Sequence, residues 1–135
     1  MKIAVVGSRS FGDRRLPDDS PDFEANERDY YAMCSILGVC DFSEIISGGA
    51  RGADRLAERF GVEHDIETTV CPAEWDKFPG HKAAYERNKL MVSLAEAVIA
   101  FWDGKSKGTR MTMQLCWKAR KPLMIVRTDL LEVKA

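Results

Sequence analysis

No apolar run in this chain approaches the ~18 residues of a membrane-spanning helix, so a helical passage through a bilayer is not written in it. It also lacks C-x-x-C spacing. Cys34, Cys40, Cys71 and Cys116 stand apart, and neither His64 nor His81 lies at a zinc-site interval from any of them. The expectation is buried reduced thiols and no metal. An excess of basic charge is missing as well. Twenty Lys and Arg face 21 Asp and Glu, for a net charge of −1 and a pI near 6.1, so no general affinity for nucleic acid is advertised. The opening "MKIAVVGSRS" has one lysine and a very short apolar run that enters a glycine loop. That reads as a buried first strand rather than a signal peptide, and cytoplasm is the expected compartment. Internal repeats and interdomain linkers are absent, which leaves one expected domain, residues 1–135.

Two nucleotide fingerprints are missing too. "GKS" at Gly104–Ser106 fits a P-loop only with a glycine five residues earlier, where Ile99 stands. G-x-G-x-x-G does not occur, so a standard dinucleotide cofactor is not expected, nor any other cofactor.

What is present is an ordinary globular composition, 45% apolar and 30% charged, in which strand-like and helix-like segments alternate. Strands are expected at Lys2–Val6, Glu44–Ser47, Ile66–Cys71, Ala97–Phe101 and Pro122–Arg127. Ala53, Leu56, Ala57 and Phe60 follow the i, i+3, i+4, i+7 rule, and Thr112, Leu115, Cys116 and Ala119 repeat it. Lys82–Ala95 forms another helix, and Ser20-Pro21 is read as the cap and first position of one ending at Leu37, before Gly38. The β-α alternation implies right-handed crossovers and a parallel sheet covered on both faces. The expected fold is α/β, a three-layer, Rossmann-like, doubly wound sandwich with a mainly parallel five-stranded sheet.

In such a sheet, ligands bind beyond the carboxyl ends of the strands, where strand order reverses. The connections leaving those ends read "GSRSFG", "SGGARGAD", "CPAEWDKFPG" and "WDGKSKGTR". Arg9, Arg51, Lys105, Lys107 and Arg110 gather there, against Asp54 and Asp103, which points to a phosphate-bearing ligand. Gly48, Gly49 and Gly52 admit backbone N–H groups close to a phosphate at a helix N-terminus, and Arg51 adds a forked hydrogen bond. The plainer reading, a tight turn and close packing, stands level with this for the loop taken alone. The second glycine loop, Gly104 to Thr109, tips the balance toward phosphate.

Ser8 and Ser47 are candidate phosphate donors and, without a partnered base, not nucleophiles. Asp54 is explained by the helix dipole or by a ribose hydroxyl. Trp75 stacks on a base or covers the core. Tyr85, Arg87 and Asn88 are solvated surface or part of the site, and Trp102 walls the pocket or caps the sheet. The long polar connection Arg9–Phe23 is a functional flap or a loose insertion.

"GSRSF", "IISGGARGADRLAERF", "PAEWDKFPGHKAAYERNKLM" and "AFWDGKSKGT" together resemble the YspA-like (DUF2493) branch of the SLOG superfamily, from Met1 to about Val126. "SGGARGAD" also looks like the corresponding loop of the DprA/Smf single-strand DNA-processing proteins. The resemblance implies a Rossmannoid domain that senses or processes a nucleotide or nucleotide derivative. Its ligand loops fall on Gly7, Ser8 and Arg9; on Ser47, Gly48, Gly49, Arg51, Gly52 and Asp54; and on Asp103, Gly104, Lys105, Ser106, Gly108 and Thr109. Its aromatic-and-basic segment falls on Trp75, Tyr85, Arg87 and Asn88. The phosphoribohydrolase (LOG) members carry P-G-G-x-G-T and a following glutamate. Here "WDGKSKGTRMTMQ" keeps Gly108-Thr109 and puts Gln114 where a carboxylate is needed. Residues between Arg14 and Asp29 are extra beside the compact branch.

Nucleotide sensing is therefore the leading expectation. A nucleotide-processing hydrolase acting through Asp103 or Asp54, and a DprA-like single-strand DNA binder, are the alternatives. No catalytic residue is assigned, and homo-oligomerisation is left open.

Overall fold

The computed structural model describes residues 1–131; residues 132–135 of the expected domain lie outside it. Five strands, β1 (Lys2–Gly7), β2 (Glu44–Ser47), β3 (Glu67–Val70), β4 (Ala97–Trp102) and β5 (Leu123–Arg127), alternate with helices α1 (Phe23–Leu37), α2 (Ala53–Glu63), α3 (His81–Leu94) and α4 (Lys107–Ala119). All strand pairings are parallel, in the order β3-β2-β1-β4-β5. The chain first steps outward from β1 to β3, then crosses back to place β4 on the other side of β1. This makes the gap between the ends of β1 and β4 the point of reversal. The fold is the expected α/β, Rossmann-like three-layer sandwich.

The continuous apolar character of the central strands follows from serving two cores at once. Ile3, Val5, Ile45, Ile99 and Phe101 pack under Tyr30, Met33 and Leu37 of α1 and Leu56, Ala57 and Phe60 of α2. Their alternates Ala4, Val6, Ile46, Val98 and Ala100 pack under Met91 and Val92 of α3 and Met113 and Cys116 of α4. Each large side chain fully buried here contributes roughly 1.5–3 kcal/mol. The edge strands depart from the buried pattern. Val70 of β3 and Met124 and Ile125 of β5 stay exposed, because each edge strand has a neighbour on one side only. All four cysteines are free thiols, Cys71 and Cys116 buried and the other two partly so.

The expected start of α1 is corrected. Asp22, not Ser20, caps the helix, its carboxylate accepting from Ala25 N–H at 3.2 Å. Pro21 instead pairs with Arg15 in an isolated antiparallel bridge. The connection Arg9–Phe23 is consequently an ordered hairpin. Leu16 N–H donates to Ser20 O at 2.8 Å and Asp22 N–H to Arg14 O at 2.9 Å. Its neck is tied to α1 where Gly12 N–H (2.9 Å) and Arg14 Nε (2.6 Å) both donate to Asp29 Oδ2. Phe11, stacked on Phe101 at 5.3 Å, anchors the loop to the end of β4.

Candidate functional site

The loops that leave β1, β2 and β4, with the first turns of α3 and α4, surround an open cleft of about 960 Å³ at the point of strand reversal. Of the residues expected at a site, Gly7, Ser8, Arg9, Arg51, Asp54, Arg87, Asn88, Asp103, Ser106, Gly108 and Thr109 line it. Ser47, Gly48, Gly49, Gly52, Trp75, Gly104 and Lys105 do not. Trp75 stands out in solvent on the β3–α3 connection. Tyr85 is half-buried and also outside the cleft lining.

The loop after β2 is largely closed upon itself. Ser47 is fully buried and gives its hydroxyl to Glu58 Oε2 at 2.7 Å while accepting Gly49 N–H at 3.2 Å. Ala50 N–H donates to Asp54 Oδ2 at 3.2 Å. A Cβ on Gly48 would fall 2.9 Å from the Asp54 carboxylate and 3.1 Å from Arg87 Nε. Arg87 itself donates to Gly48 O at 3.2 Å and to Asn88 Oδ1 at 3.1 Å. At Gly52 (φ +87°) a Cβ would lie 2.4 Å from Arg9 O and 2.5 Å from Ser8 O, so this glycine lets the β1 and β2 loops touch. Ala53 N–H then donates to Ser8 O at 3.3 Å. The Asp54 carboxylate thus serves as the internal acceptor of this loop's amides. Burial pushes its pKa up to about 6, with Glu58 adding to the rise; the Ala50 and Gly48 amides and Arg87 oppose it.

The loop after β4 is arranged differently. Asp103 Oδ1 accepts Lys105 N–H at 2.9 Å and Ser106 N–H at 2.7 Å, and Asp103 N–H donates to Ser8 Oγ at 3.2 Å. Burial works against ionisation of this carboxyl. The Ser106 and Lys105 amides and the Ser8 hydroxyl outweigh it and hold the pKa below the usual carboxylate value. The turn ends at Ser106, the N-cap of α4, whose side chain makes no capping bond. Its hydroxyl lies 3.2 Å from Thr109 Oγ1. The N–H groups of Lys107, Gly108 and Thr109 find no acceptor among the described residues. A Cβ on Gly108 would meet nothing within 4 Å. Gly104 serves the other side of the turn, where a Cβ would lie 2.7 Å from the Arg127 guanidinium.

In the same cleft, Asn88 of α3 is only 7% exposed, and its amide nitrogen, which reaches solvent, has no protein partner among the described residues. The hairpin adds Asp13, Arg15 and Asp19 to the wall. Sequence reasoning missed these three and His81, because only contacts between distant segments bring them to the cleft. The clustered positive charge expected at this edge is therefore balanced in part by Asp13, Asp19, Asp54 and Asp103. No helix among the described residues is long and apolar enough to cross a membrane.

No family model matches the chain. The gene 61 protein of Mycobacterium phage D29 is 30% identical over 129 residues, which span 91% of this chain and 94% of the phage protein. In three dimensions the chain is similar to DNA processing protein A from Helicobacter pylori, in a structure concerned with that protein's single-stranded DNA binding mode. The TM-score is 0.62 at 21% identity, over 99% of this chain and 68% of the other, and the likeness is one of fold.

Proposed function

The chain belongs to the family of the gene 61 protein of Mycobacterium phage D29, and we propose that it binds a nucleotide or nucleotide derivative in the cleft. The observation that carries this reading is the first turn of α4, with three amides lacking acceptors and a glycine whose missing side chain leaves open space. Helix N-termini of this kind favour anions through their N–H groups and the helix dipole. Asp54, Asn88 and Arg87 supply polar contacts for a sugar or base. Residues 1–135 act in this reading as one nucleotide-binding domain. The motifs that resemble the YspA-like branch of the SLOG superfamily support it.

Titration calorimetry with AMP, ADP, ADP-ribose and NAD alongside unphosphorylated nucleosides tests the reading. Phosphorylated compounds are expected to bind at least tenfold tighter, about 1.4 kcal/mol, and at 100 times the dissociation constant to raise stability by ~2.7 kcal/mol. Equal binding of nucleosides would sink it. Mass spectrometry of the same mixtures separates a binder from a hydrolase.

The fold shared with DNA processing protein A supports a second reading, single-stranded DNA as the ligand. Tight oligonucleotide binding at ~150 mM salt would promote it; weak binding that falls steeply with salt supports the small-molecule reading.

A further inference from the structure

Two arginines from different loops converge on one carboxylate at the wall of the cleft. Arg15 Nη2, on the hairpin, lies 3.1 Å from Asp13 Oδ1. Arg51 Nε, on the β2–α2 loop, lies 3.8 Å from Asp13 Oδ2. Both guanidiniums are well exposed, with side-chain exposures of 43% and 66%. Ion pairs of this kind contribute little, and exchanging the carboxylate for another anion costs little. A phosphate offers more oxygens to two guanidinium forks than Asp13 does.

This arginine pair and the α4 N-terminus are separate poles. Arg51 leaves β2, which lies across β1 from β4, so its loop starts roughly 10 Å, two strand spacings, from the loop that leads into α4. Arg15 and Asp13, on the connection leaving β1, are brought to Arg51 by their ion pairs. One phosphate does not span that distance, whereas a diphosphate met by extended arginine side chains does. The buried Asn88, with its unpartnered amide nitrogen, lines the same cleft.

Resting on the nucleotide reading above, we infer that the ligand carries two phosphates: one on the α4 amides, the other on Arg15 and Arg51, which Asp13 holds in the unliganded protein. The ligand class is thus a nucleoside diphosphate or a larger pyrophosphate ester. Asp13 is a competitor for the second phosphate, and the hairpin exists to bring Arg15 and Asp13 to the wall.

The test is calorimetric titration of 5′-mono- and 5′-diphosphates of adenosine, guanosine, cytidine and uridine, with ADP-ribose, into the full chain and its variants. Folding of each variant is checked by melting. The readout is the affinity ratio of diphosphate to monophosphate for whichever base binds. In the unmodified protein the ratio is expected to be about tenfold or more, as charge-assisted hydrogen bonds warrant. Asp13→Asn should raise the ratio several-fold, and Arg15→Gln or Arg51→Gln should bring it close to one. If monophosphates bind as tightly as diphosphates, or Asp13→Asn leaves the ratio unmoved, the two-phosphate assignment falls and the nucleotide reading stands. If none of the probes binds, both fall.

Discussion

The loops after β2 and β4 are alike in composition, both glycine-bearing and basic, and both lead into a helix at the carboxyl edge of one sheet. Their hydrogen bonds differ where each loop enters its helix. After β2, the amides of Gly49, Ala50 and Ala53 have acceptors within the protein, namely Ser47 Oγ, Asp54 Oδ2 and Ser8 O. After β4, Lys105 and Ser106 N–H are likewise taken, by Asp103 Oδ1. All three amides of the first turn of α4, those of Lys107, Gly108 and Thr109, have no acceptor among the described residues, whereas in the first turn of α2 only those of Asp54 and Arg55 are so left. The difference teaches that glycine and basic composition alone do not tell which loop keeps donors free for an anion. In the first loop, glycine is required for close approach of protein to protein. In the second, a Cβ on Gly108 would meet nothing within 4 Å.

The largest expected effect comes from testing that division with the same substitution at both places. Gly52→Ala forces a side chain into φ +87°, with its Cβ 2.4 Å from a backbone carbonyl. We expect a loss of ~3 kcal/mol or more, from backbone strain and steric clash combined. Gly108→Ala meets no neighbour and lies in a helix, so stability should change by less than about 1 kcal/mol. Affinity for phosphorylated probes should nonetheless drop. Urea denaturation with calorimetry reads both. Equal destabilisation at the two sites would break the comparison.

A smaller effect, confined to a pH window, tests whether the first loop's anion is internal. Asp54 is raised from 3.8 to about 6 in the folded protein. Between these values the native state binds more protons than the unfolded chain, so stability falls as pH rises from about 4 to 6. The full cost, roughly 3 kcal/mol for a shift of about two units, is present above that window and absent below it. Asp54→Asn retains an acceptor for Ala50 N–H without the buried charge. It should flatten this part of the stability–pH curve and be the more stable protein at pH 7, by about 1–3 kcal/mol. A curve with the same slope from pH 4 to 6 in both proteins would show that Asp54 is not the buried charge described here.

The distinction between the two loops was not legible in the sequence, although much around it was. Apolar runs of strand length and helical spacing at Ala53–Phe60 follow from local chemistry, and the β-α order could be placed from them. The point of reversal between β1 and β4 could not, since strand order is set by crossovers between distant segments. Gly7, Arg51, Asp103 and Gly108 reach the cleft because strand ends dictate where their loops go. Ser47 and Gly48 were assigned to the same group, yet Glu58 and Asp54, several residues further on in α2, determine what they face. The start of α1 was misplaced for a related reason. Pro21 has the local form of a first helical residue, and only its pairing with Arg15 across the hairpin moves the cap to Asp22. Pairings that depend on distant partners carry no local signature.

The smallest effect expected is also the most direct check that the α4 amides are unspent. A serine at a helix N-cap normally accepts an N–H from the first turn, and replacing it by alanine costs about 1 kcal/mol. Asp22 makes such a bond at α1, to Ala25 N–H, so Asp22→Ala should cost about that much. Ser106 makes none at α4, its hydroxyl lying instead beside Thr109 Oγ1 at 3.2 Å. Ser106→Ala should therefore cost only a few tenths of a kcal/mol in the free protein, since it removes a hydroxyl pair and no amide partner. In the presence of a saturating phosphorylated probe, both variants should gain stability, because neither substitution removes the amides themselves. Chemical denaturation of the two variants without ligand decides the point. Should Ser106→Ala cost as much as Asp22→Ala, the cap hydroxyl is already serving an α4 amide, and the two loops differ far less than their geometry states.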